Sequence, residues 1–324
     1  MPTTKISDVI IPEIFVPYVI KRTAELSELI QSGIISQSPQ LNDFITGGGK
    51  TINMPFWNDL SGEDQALDDV NPIRTQKITA NKDVAHVLIR ANGWSSHELA
   101  SALAGDNAQA AIIELVAKWW IRREQAILIS VLNGIFASTE MADLVLSPST
   151  SVEINAGMVL DAKQLLGDAF RKLSAIAMHS ATYTKLQKEG AIVMMPNQNS
   201  NIGPREEINF PTYLGYRVII DDGMPVSGSG SGAIYSSYLF GEGVIARGEG
   251  VPEALTPVEF DRDSAMSTDY LFHRRALVMH PTGIKWIGVP EGATPTNVEL
   301  AAGTNWQRVV ERKQIGIVKI NHLI

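Results

Sequence analysis

Apolar positions recur at spacings of three and four residues through the middle of the chain. The set is Ile112, Leu115, Val116, Trp119, Ile127 and Val131. This spacing places side chains on one helix face, so the pattern predicts a long helix over roughly residues 107–136. Such a helix is about 40 Å long at the usual rise per residue. Ser95 or Ser96 is a candidate cap for an earlier helical stretch, which Gly105-Asp106-Asn107 interrupts.

Residues 46–85 favour two strands around a long polar tip. The first strand lies in TGGGKTINMPFW, and the second lies in IRTQKITANKDVAHVLI, where apolar and polar positions alternate. The segment between them, NDLSGEDQALDDVNP, is polar and acidic. This arrangement predicts an extended hairpin. Because an isolated two-stranded hairpin is only marginally stable in water, we expect it to rest on a neighbouring chain, with a disordered surface loop as the alternative.

The segments on either side have different patterns. Residues 1–45 are interrupted by prolines and show no compact unit, which predicts an extended arm. Residues 151–232 alternate short helices and strands, which predicts a small α/β lobe. Asn155 and Ser180 are the expected N-caps of the helices in this lobe.

Residues 233–324 consist mostly of strand-like stretches. SGSGSG at 227–232 precedes them and predicts a flexible turn. Pro281-Thr282-Gly283 separates two of the stretches and predicts a tight hairpin turn. Residues 290–305 predict a loop or linker.

Composition narrows the class of protein. With 44% hydrophobic and 19% charged residues over 324 positions, the chain has enough apolar matter for two or more compact lobes. There is no apolar run of the roughly 18 residues that a membrane helix needs, and the N-terminal sequence does not resemble a signal peptide. Cysteine is absent, so disulfides and thiolate sites are excluded. The net charge of −8, without a cluster of lysines and arginines, argues against a specific nucleic-acid binder.

The sequence carries no recognisable catalytic or metal-binding motif. The six histidines do not form a helical zinc signature, and neither a hydrolase G-x-S-x-G nor a P-loop is present. Gly241-Glu242-Gly243 follows a strand, but the Gly- and Pro-rich continuation cannot form the helix that a dinucleotide loop requires. Adjacent carboxylates such as Asp221 and Asp222 point to opposite sides of a strand. We therefore expect no catalytic, cofactor-binding or metal-binding residues, and no enzyme.

Four stretches together resemble segments of phage coat proteins. They are YLGYRVIIDDGMP at 213–225, YSSYLFGEG at 235–243, residues 257–286, and NWQRVVERKQIGIVKI at 305–320. Their order and spacing match over most of residues 90–324, whereas the first 90 residues match only in layout. The chain is thus similar to the major capsid proteins of tailed bacteriophages, which have the Hong Kong 97-like fold.

The resemblance implies an α+β fold with four parts. These are an N-terminal arm (1–45), an extended hairpin loop (46–85), a peripheral domain with a long spine helix (86–150 and 233–290) and an axial α/β domain (151–232 and 291–324). The C-terminal strand is the least clearly assigned element.

The resemblance also implies the function and the partners. Copies of the chain would assemble into pentamers and hexamers of an icosahedral head around double-stranded DNA, with DNA contacts by non-specific proximity only. Because the sequence lacks the large N-terminal scaffolding segment of some family members, it implies a separate scaffold protein or a processed chain. A portal and a decoration protein are further expected partners, and no membrane is involved. The protein would be made in the bacterial host cytoplasm and reside in the virion.

The expected contact residues lie in and opposite the acidic tip of the hairpin. The inter-subunit contact candidates are Asp59, Glu63, Asp64, Asp68 and Asp69, with Arg74 and Arg247 as possible basic partners on a neighbour. The hinge candidates are Gly47, Gly48, Gly49, Gly228, Gly230 and Gly232. Three alternatives stay open at this point: an encapsulin-like shell subunit, an α/β enzyme with an unrecognised site, and a tail or neck structural protein.

Overall fold

The computed structural model describes residues 32–58, 60, 64–65, 75, 77–97, 108–148, 152–196 and 209–324. The helices are α1 (Pro39–Thr46), α2 (Ala108–Ala137), α3 (Ala156–Gln164), α4 (Ser180–Lys188) and α5 (Asn297–Leu300).

The strands occupy most of the N-terminal and C-terminal parts that the structure describes. They are β1 (Ile35–Gln37), β2 (Thr51–Trp57), β3 (Ala80–His86), β4 (Leu88–His97), β5 (Val145–Leu146), β6 (Leu173–Met178), β7 (Val193–Pro196), β8 (Asn209–Tyr213), β9 (Tyr216–Ile220), β10 (Val226–Ser227), β11 (Ile234–Gly241), β12 (Ile245–Gly250), β13 (Val258–Asp263), β14 (Thr268–Pro281), β15 (Ile284–Trp286), β16 (Trp306–Arg308) and β17 (Ile317–His322).

One sheet of five strands is organised around β14. Along one edge of β14, residues 268–273 pair with β13 and residues 276–281 pair with β12. Along its other edge, residues 268–277 pair with β4. These pairings are antiparallel, and β1 adds to β12 in parallel. Because a strand of 14 residues serves three partners at once, it sets the register of the whole sheet.

Helix α2 joins the two halves of the molecule. In its N-terminal half Val116 and Trp120 pack against Leu271 of β14. In its C-terminal half Phe136 enters the main core, where its ring centroid lies 5.6 Å from that of Tyr238 in β11. The helix therefore spans from the five-stranded sheet to the second sheet.

The long helix expected at residues 107–136 is confirmed. The expected cap at Ser95 or Ser96 is wrong, because both residues lie within β4 and pair with β14. Residues 98–107 lie outside the described part of the chain. Pairing with a neighbouring strand here outweighs the local preference of serine for a helix N-terminus.

The second sheet has eight strands in the order β5-β17-β11-β6-β9-β8-β7, with β10 paired to β11. Helices α3 and α4 connect strands of this sheet. Asn155 caps α3 as expected, its side chain accepting a hydrogen bond from Met158 N at 2.9 Å. The cap of α4 is His179 and not Ser180, because the His179 Nδ1 accepts from Ala181 N at 3.1 Å.

The strand pairing crosses the expected domain boundary at residue 233. Strand β11 pairs with β6 and β17, so it belongs to the sheet of the expected axial segment and not to that of residues 242–281. The C-terminal strand β17 lies in the same sheet. The division into domains stays a proposal, but sheet membership would move residues 234–241 to the axial side.

The prediction of a hairpin at Pro281-Thr282-Gly283 is wrong. The chain turns there, with Gly283 at a φ of 83°, but β15 pairs with β16 and not with β14. The end of β14 is already paired with β12, and the Gly283 N–H donates to Asp83 Oδ2 at 2.9 Å. Because these backbone groups are already hydrogen-bonded, β15 does not pair with β14 across the turn.

The described end of the expected arm belongs to the body of the protein. Residues 1–31 lie outside the described part, but Ile34, Leu41 and Ile45 are buried in the chain's own cores. Helix α1 lies directly on β12, where a Cβ at Gly248 would come within 2.6 Å of the Leu41 Cβ. The glycine thus allows a backbone approach that any larger residue would block.

A similar close approach joins α2 to α5. A Cβ at position 134 would lie 2.0 Å from the carbonyl oxygen of Leu300, so Gly134 lets the two helices touch. Trp306 reinforces this contact, because its Nε1–H donates to the same carbonyl at 2.8 Å. No helix in the described residues is long and apolar enough to span a membrane.

A buried histidine in the eight-stranded sheet predicts that stability depends on pH. His322 lies with its Nδ1 2.9 Å from Leu323 O and its Nε2 2.8 Å from the Ser237 hydroxyl, which suits a neutral ring. Burial lowers the pKa of His322 from 6.5 to about 4. The unfolded chain therefore takes up a proton that the folded chain resists. The free energy of unfolding should fall as the pH drops from 6.5 towards 4, by about 3 kcal/mol for this group.

Urea unfolding of unassembled subunits between pH 4 and 7 measures this effect. The variant His322→Gln should be less stable at pH 7 and should show a flatter pH profile over the same window. Identical slopes for the wild-type and variant proteins would contradict a neutral buried ring.

Candidate assembly surfaces

Strands β2 and β3 form the hairpin expected from the sequence. They pair antiparallel from Thr51 opposite His86 to Trp57 opposite Ala80. The Asn58 N–H donates to Thr79 O at 3.0 Å and extends the pairing by one position. The two strands are thus confirmed.

Burial changes steeply along this hairpin. At its base Ile52 is 4% exposed and packs with α1 in a small separate core. At its far end Trp57 is 74% exposed and Ile78 is 60% exposed. The far end of the hairpin is therefore a candidate contact surface.

Asp83 anchors the base of the hairpin to the body. Its Oδ1 lies 2.9 Å from His280 Nε2, and its Oδ2 accepts a hydrogen bond from Gly283 N. Both side chains are buried. His86 adds an edge contact with the Trp286 ring, at 6.2 Å between centroids. These contacts fix the direction in which the hairpin leaves the two sheets.

Two of the expected contact residues, Asp64 and Arg247, lie in the described part of the chain. Asp64 is exposed. The remaining acidic candidates and their first possible partner lie outside the described residues: Asp59, Glu63, Asp68, Asp69 and Arg74. An acidic contact surface at the tip of the hairpin stays a prediction.

Arg247 has partners within its own chain. Its Nε and Nη2 donate to the two carboxylate oxygens of Glu124 on α2 at 3.0 and 3.1 Å, and Nη2 also donates to Glu249 at 2.7 Å. Arg275 contacts the same two glutamates, with its Nη2 2.7 Å from Glu124 Oε1 and its Nε 2.8 Å from Glu249 Oε1. The network attaches α2 to β12 and β14, and a contact of Arg247 with a neighbouring chain stays a prediction.

The pKa values in this network favour the charged forms. Burial alone would raise the pKa of Glu249, but the hydrogen bonds from Arg275 and Arg247 lower it below its ordinary value of 4.5. Burial alone would lower the pKa of Arg247, but the contacts with Glu124 and Glu249 raise it. Sequence reasoning missed Glu124, because nothing in a helical pattern indicates which polar residue faces a distant arginine.

A second exposed hairpin is formed by β13 and the first half of β14. Every residue of β13 except its last is exposed. Phe260 is 64% exposed, and Val258 and Met266 are also exposed apolar residues. This surface was missed, although the alternation in PVEFDRD could have indicated a strand at the edge of a sheet.

The eight-stranded sheet ends in an apolar edge. Strand β7 pairs only with β8 among the described strands, and Val193, Met194 and Met195 are all exposed. Consecutive exposed apolar residues on an edge strand make a natural contact with another chain.

The glycine hinge candidates lie in turns. Gly48 and Gly49 follow α1 with φ values of 81° and 130°, and Gly228 and Gly230 have values of 83° and 67°. Such conformations favour glycine. Gly47 ends α1 in an ordinary conformation, and Gly232 closes a short 3₁₀ turn. Their use as hinges stays a prediction.

No group of three or more His, Asp or Glu residues in the described part of the chain could hold a metal ion.

Comparison with known proteins shows which proteins this chain resembles. No family model matches the sequence. The major capsid protein of Bacillus phage SPP1 is 43% identical over 328 residues, covering 99% of each chain.

Solved capsid structures share the fold at low sequence identity. The capsid of cyanophage Pam1 has a TM-score of 0.59 at 13% identity and covers 89% of this chain and 88% of its own. The capsid of Ralstonia phage GP4 has a TM-score of 0.59 at 8% identity, covering 90% and 87%. The expected α+β, Hong Kong 97-like fold is confirmed.

Removing the charge of Glu124 should destabilise the folded subunit. The substitution Glu124→Gln leaves Arg247 and Arg275 with Glu249 as their remaining carboxylate partner among the described residues, and the lost charge-assisted hydrogen bonds should cost about 2 kcal/mol in the free energy of unfolding. Urea unfolding of unassembled subunits, followed by circular dichroism, measures this cost.

The matched control is Glu259→Gln, which removes an arginine-bound glutamate at the exposed strand β13. Its cost should stay within about 1 kcal/mol because water screens that pair. Equal losses from the two variants would contradict an anchoring role for Glu124.

Proposed function

This chain belongs to the major capsid proteins of tailed bacteriophages, and on that premise we propose how its copies form a shell. They close into pentamers and hexamers of an icosahedral head around double-stranded DNA. The observation that carries the proposal is the far end of the hairpin β2–β3, where Trp57, Leu60 and Ile78 are exposed. This end lies over an adjacent subunit, which covers the apolar side chains.

Burial of the hairpin end supplies free energy for assembly. A tryptophan side chain contributes on the order of 3 kcal/mol when a neighbour removes it from water. The strands have a small core only at their base, so the far end gains order from the neighbouring chain as well. Each subunit offers one such hairpin and receives another, and head-to-tail contacts of this kind close into rings.

The acidic tip sets the alignment of neighbouring subunits more than the strength of their contact. Exposed ion pairs contribute about 1 kcal/mol or less each, but opposite charges select one register. Five carboxylates in residues 59–69 face basic residues of the adjacent subunit. Arg247 is the weaker of the two expected partners, because Glu124 and Glu249 already bind its guanidinium.

The four expected parts divide the work of the shell. The axial segments, residues 151–232 and 291–324, meet around the five- and six-fold axes, and the exposed edge of β7 favours a contact there. The peripheral segments, residues 86–150 and 233–290, meet between rings, where the β13 hairpin offers exposed apolar residues. The arm, residues 1–45, crosses to another subunit with the part that precedes β1.

Glycine-rich joints let one sequence fit both ring sizes. Gly47, Gly48 and Gly49 lie between α1 and the hairpin, and the turn at 227–232 lies between β10 and β11. A small rotation at these joints changes the angle between neighbours without disturbing either core.

The shell has further partners, and its contact with DNA is non-specific. A separate scaffold protein guides assembly, a portal occupies one vertex, and a decoration protein is a possible addition. The net charge of −8 suits a wall that does not adhere to packaged DNA. The protein is made in the host cytoplasm, acts in the virion and has no enzymatic role.

The alternatives are separated by simple observations. An encapsulin-like shell would be small, closed and filled with an enzyme, whereas a phage head has a tail vertex and packaged DNA. A tail or neck protein would form tubes or isolated rings. An enzyme would remain a small oligomer at every concentration.

Deleting residues 59–70 should leave a folded subunit that does not form shells, because the aligning charges and the hairpin contact are lost. Negative-stain microscopy and sedimentation measure assembly, and circular dichroism measures folding. Normal shells from the deletion variant would contradict the role of the hairpin.

The substitution Trp57→Ser should leave the free energy of unfolding of the isolated subunit within about 0.5 kcal/mol of the wild-type value, because the side chain is exposed. Shell yield should fall about tenfold or more, since the burial on a neighbour is lost. The control Leu160→Ser removes an exposed apolar residue from α3 and should leave the yield unchanged. Equal yields from wild type and Trp57→Ser would count against the contact.

A further inference from the structure

A cavity of about 250 Å³ opens where β4, α2 and the start of α5 meet. Its walls carry many hydrogen-bond donors. The donor-bearing and aromatic residues are Arg90, Asn92, Trp119, Trp120, Arg123 and Asn297. This concentration of positive charge is unusual for a chain with a net charge of −8.

Arg90 is held by neutral acceptors. It donates to the carbonyl oxygen of Pro295, and its Nη2 and Nη1 reach Asn297 Oδ1 at 3.4 Å and Thr294 Oγ1 at 3.5 Å. No carboxylate in the described residues forms an ion pair with it. Burial, followed by the charge of Arg123, lowers the pKa of Arg90.

Arg123 likewise has no carboxylate partner among the described residues. Its guanidinium lies over the Trp119 ring, 5.7 Å from the ring centroid, and its side chain is exposed. A guanidinium stacked on an indole keeps its edge donors available for a planar acceptor.

Arg275, which lies next to this cavity, has the carboxylate partners that Arg90 and Arg123 lack among the described residues. Arg90 and Arg275 lie directly opposite each other on β4 and β14, a like-charge pair that destabilises a sheet unless it is compensated. Glu124 and Glu249 compensate Arg275. The carboxylate of Glu299 acts on Arg90 only at longer range, because its oxygens accept hydrogen bonds within the cap of α5.

The cavity therefore has two guanidinium charges, and neither forms an ion pair with a carboxylate in the described part of the chain.

We propose that this cavity binds a carboxylate side chain from the acidic hairpin segment of a second copy of the chain. The inference rests on the proposed function and names the surface that receives the hairpin. Residues 59–69 contain five carboxylates, and Asp64 is exposed. The sequence has no lysine or arginine between Asn58 and Ile73, so the segment is complementary in charge to the cavity.

A carboxylate fits this cavity better than a DNA phosphate. A protein that follows a DNA backbone needs cations spaced along several phosphates. Here two arginines converge on one small cavity, and the adjacent surface carries Glu291 and Glu299. A single planar anion between two guanidinium groups satisfies the donors without an extended contact.

Charge reversal at Arg123, with Arg122 as the matched control, tests the proposal. Arg122 directly precedes Arg123 on α2 and does not line the cavity. In full-length protein, Arg123→Glu should raise the subunit concentration needed for half-maximal shell assembly about tenfold or more, while Arg122→Glu should stay within about twofold of wild type. Circular dichroism checks that both variants fold, and Arg123→Gln, which should give a smaller shift, serves if Arg123→Glu does not fold.

The outcomes separate this inference from the proposed function. A loss confined to Arg123 supports the carboxylate site. If the wild-type protein forms shells, and both Arg123→Glu and Arg123→Gln assemble as well as it does, the carboxylate site is overturned and the proposed function stays intact. Normal assembly of Arg123→Glu with reduced retention of DNA would assign the cavity to phosphate and overturn the carboxylate. Failure of the wild-type chain to form any shell would overturn both.

The absence of cysteine from this chain permits a direct test of proximity. Arg123→Cys is combined, one at a time, with Cys at Asp59, Glu63, Asp64, Asp68 or Asp69, and the assembled protein is oxidised. At least one pair should give a ladder of linked chains on a non-reducing gel, whereas the same position paired with Arg122→Cys should give at least fivefold less. A link within single chains only, or no link from any pair, would overturn the proposal.

Discussion

We propose that the shell depends on apolar surface that one subunit exposes and another covers. Trp57 lies at the end of a hairpin whose base alone packs on its own chain. The cost of leaving such a side chain in water is the free energy that drives association. The β13 hairpin and the edge of β7 present the same situation elsewhere on the molecule. On this proposal the hydrophobic effect drives both folding within a chain and assembly between chains.

Contacts within the chain hold these exposed surfaces in position. Helix α2 reaches from one sheet to the other, and the ion network of Glu124 attaches it to β12 and β14. Asp83 fixes the base of the hairpin to the turn after β14. A projection anchored at its base presents the same side chains to a neighbour in every copy.

Charge is distributed differently inside the subunit and at its surface. Arg247 and Arg275 share two glutamates within the chain, so their contribution is to stability. Arg90 and Arg123 lie at the same helix–sheet junction and form no ion pair with a carboxylate among the described residues. The acidic hairpin segment has the opposite excess. Unbalanced charges of opposite sign on two surfaces of one chain favour contact between copies in a single register.

The sequence by itself determined the local elements: the 107–136 helix, the two hairpin strands and the Asn155 cap follow from periodicity and capping, which act over a few residues. The family resemblance added the fold. Only the tertiary structure decided that β11 joins the eight-stranded sheet, that β15 pairs with β16, that Ser95 and Ser96 lie in a strand, and that Arg247 binds Glu124. These outcomes depend on partners that lie between 20 and 175 residues away in the chain, and a local pattern carries no information about which distant group completes a hydrogen bond or covers an apolar face.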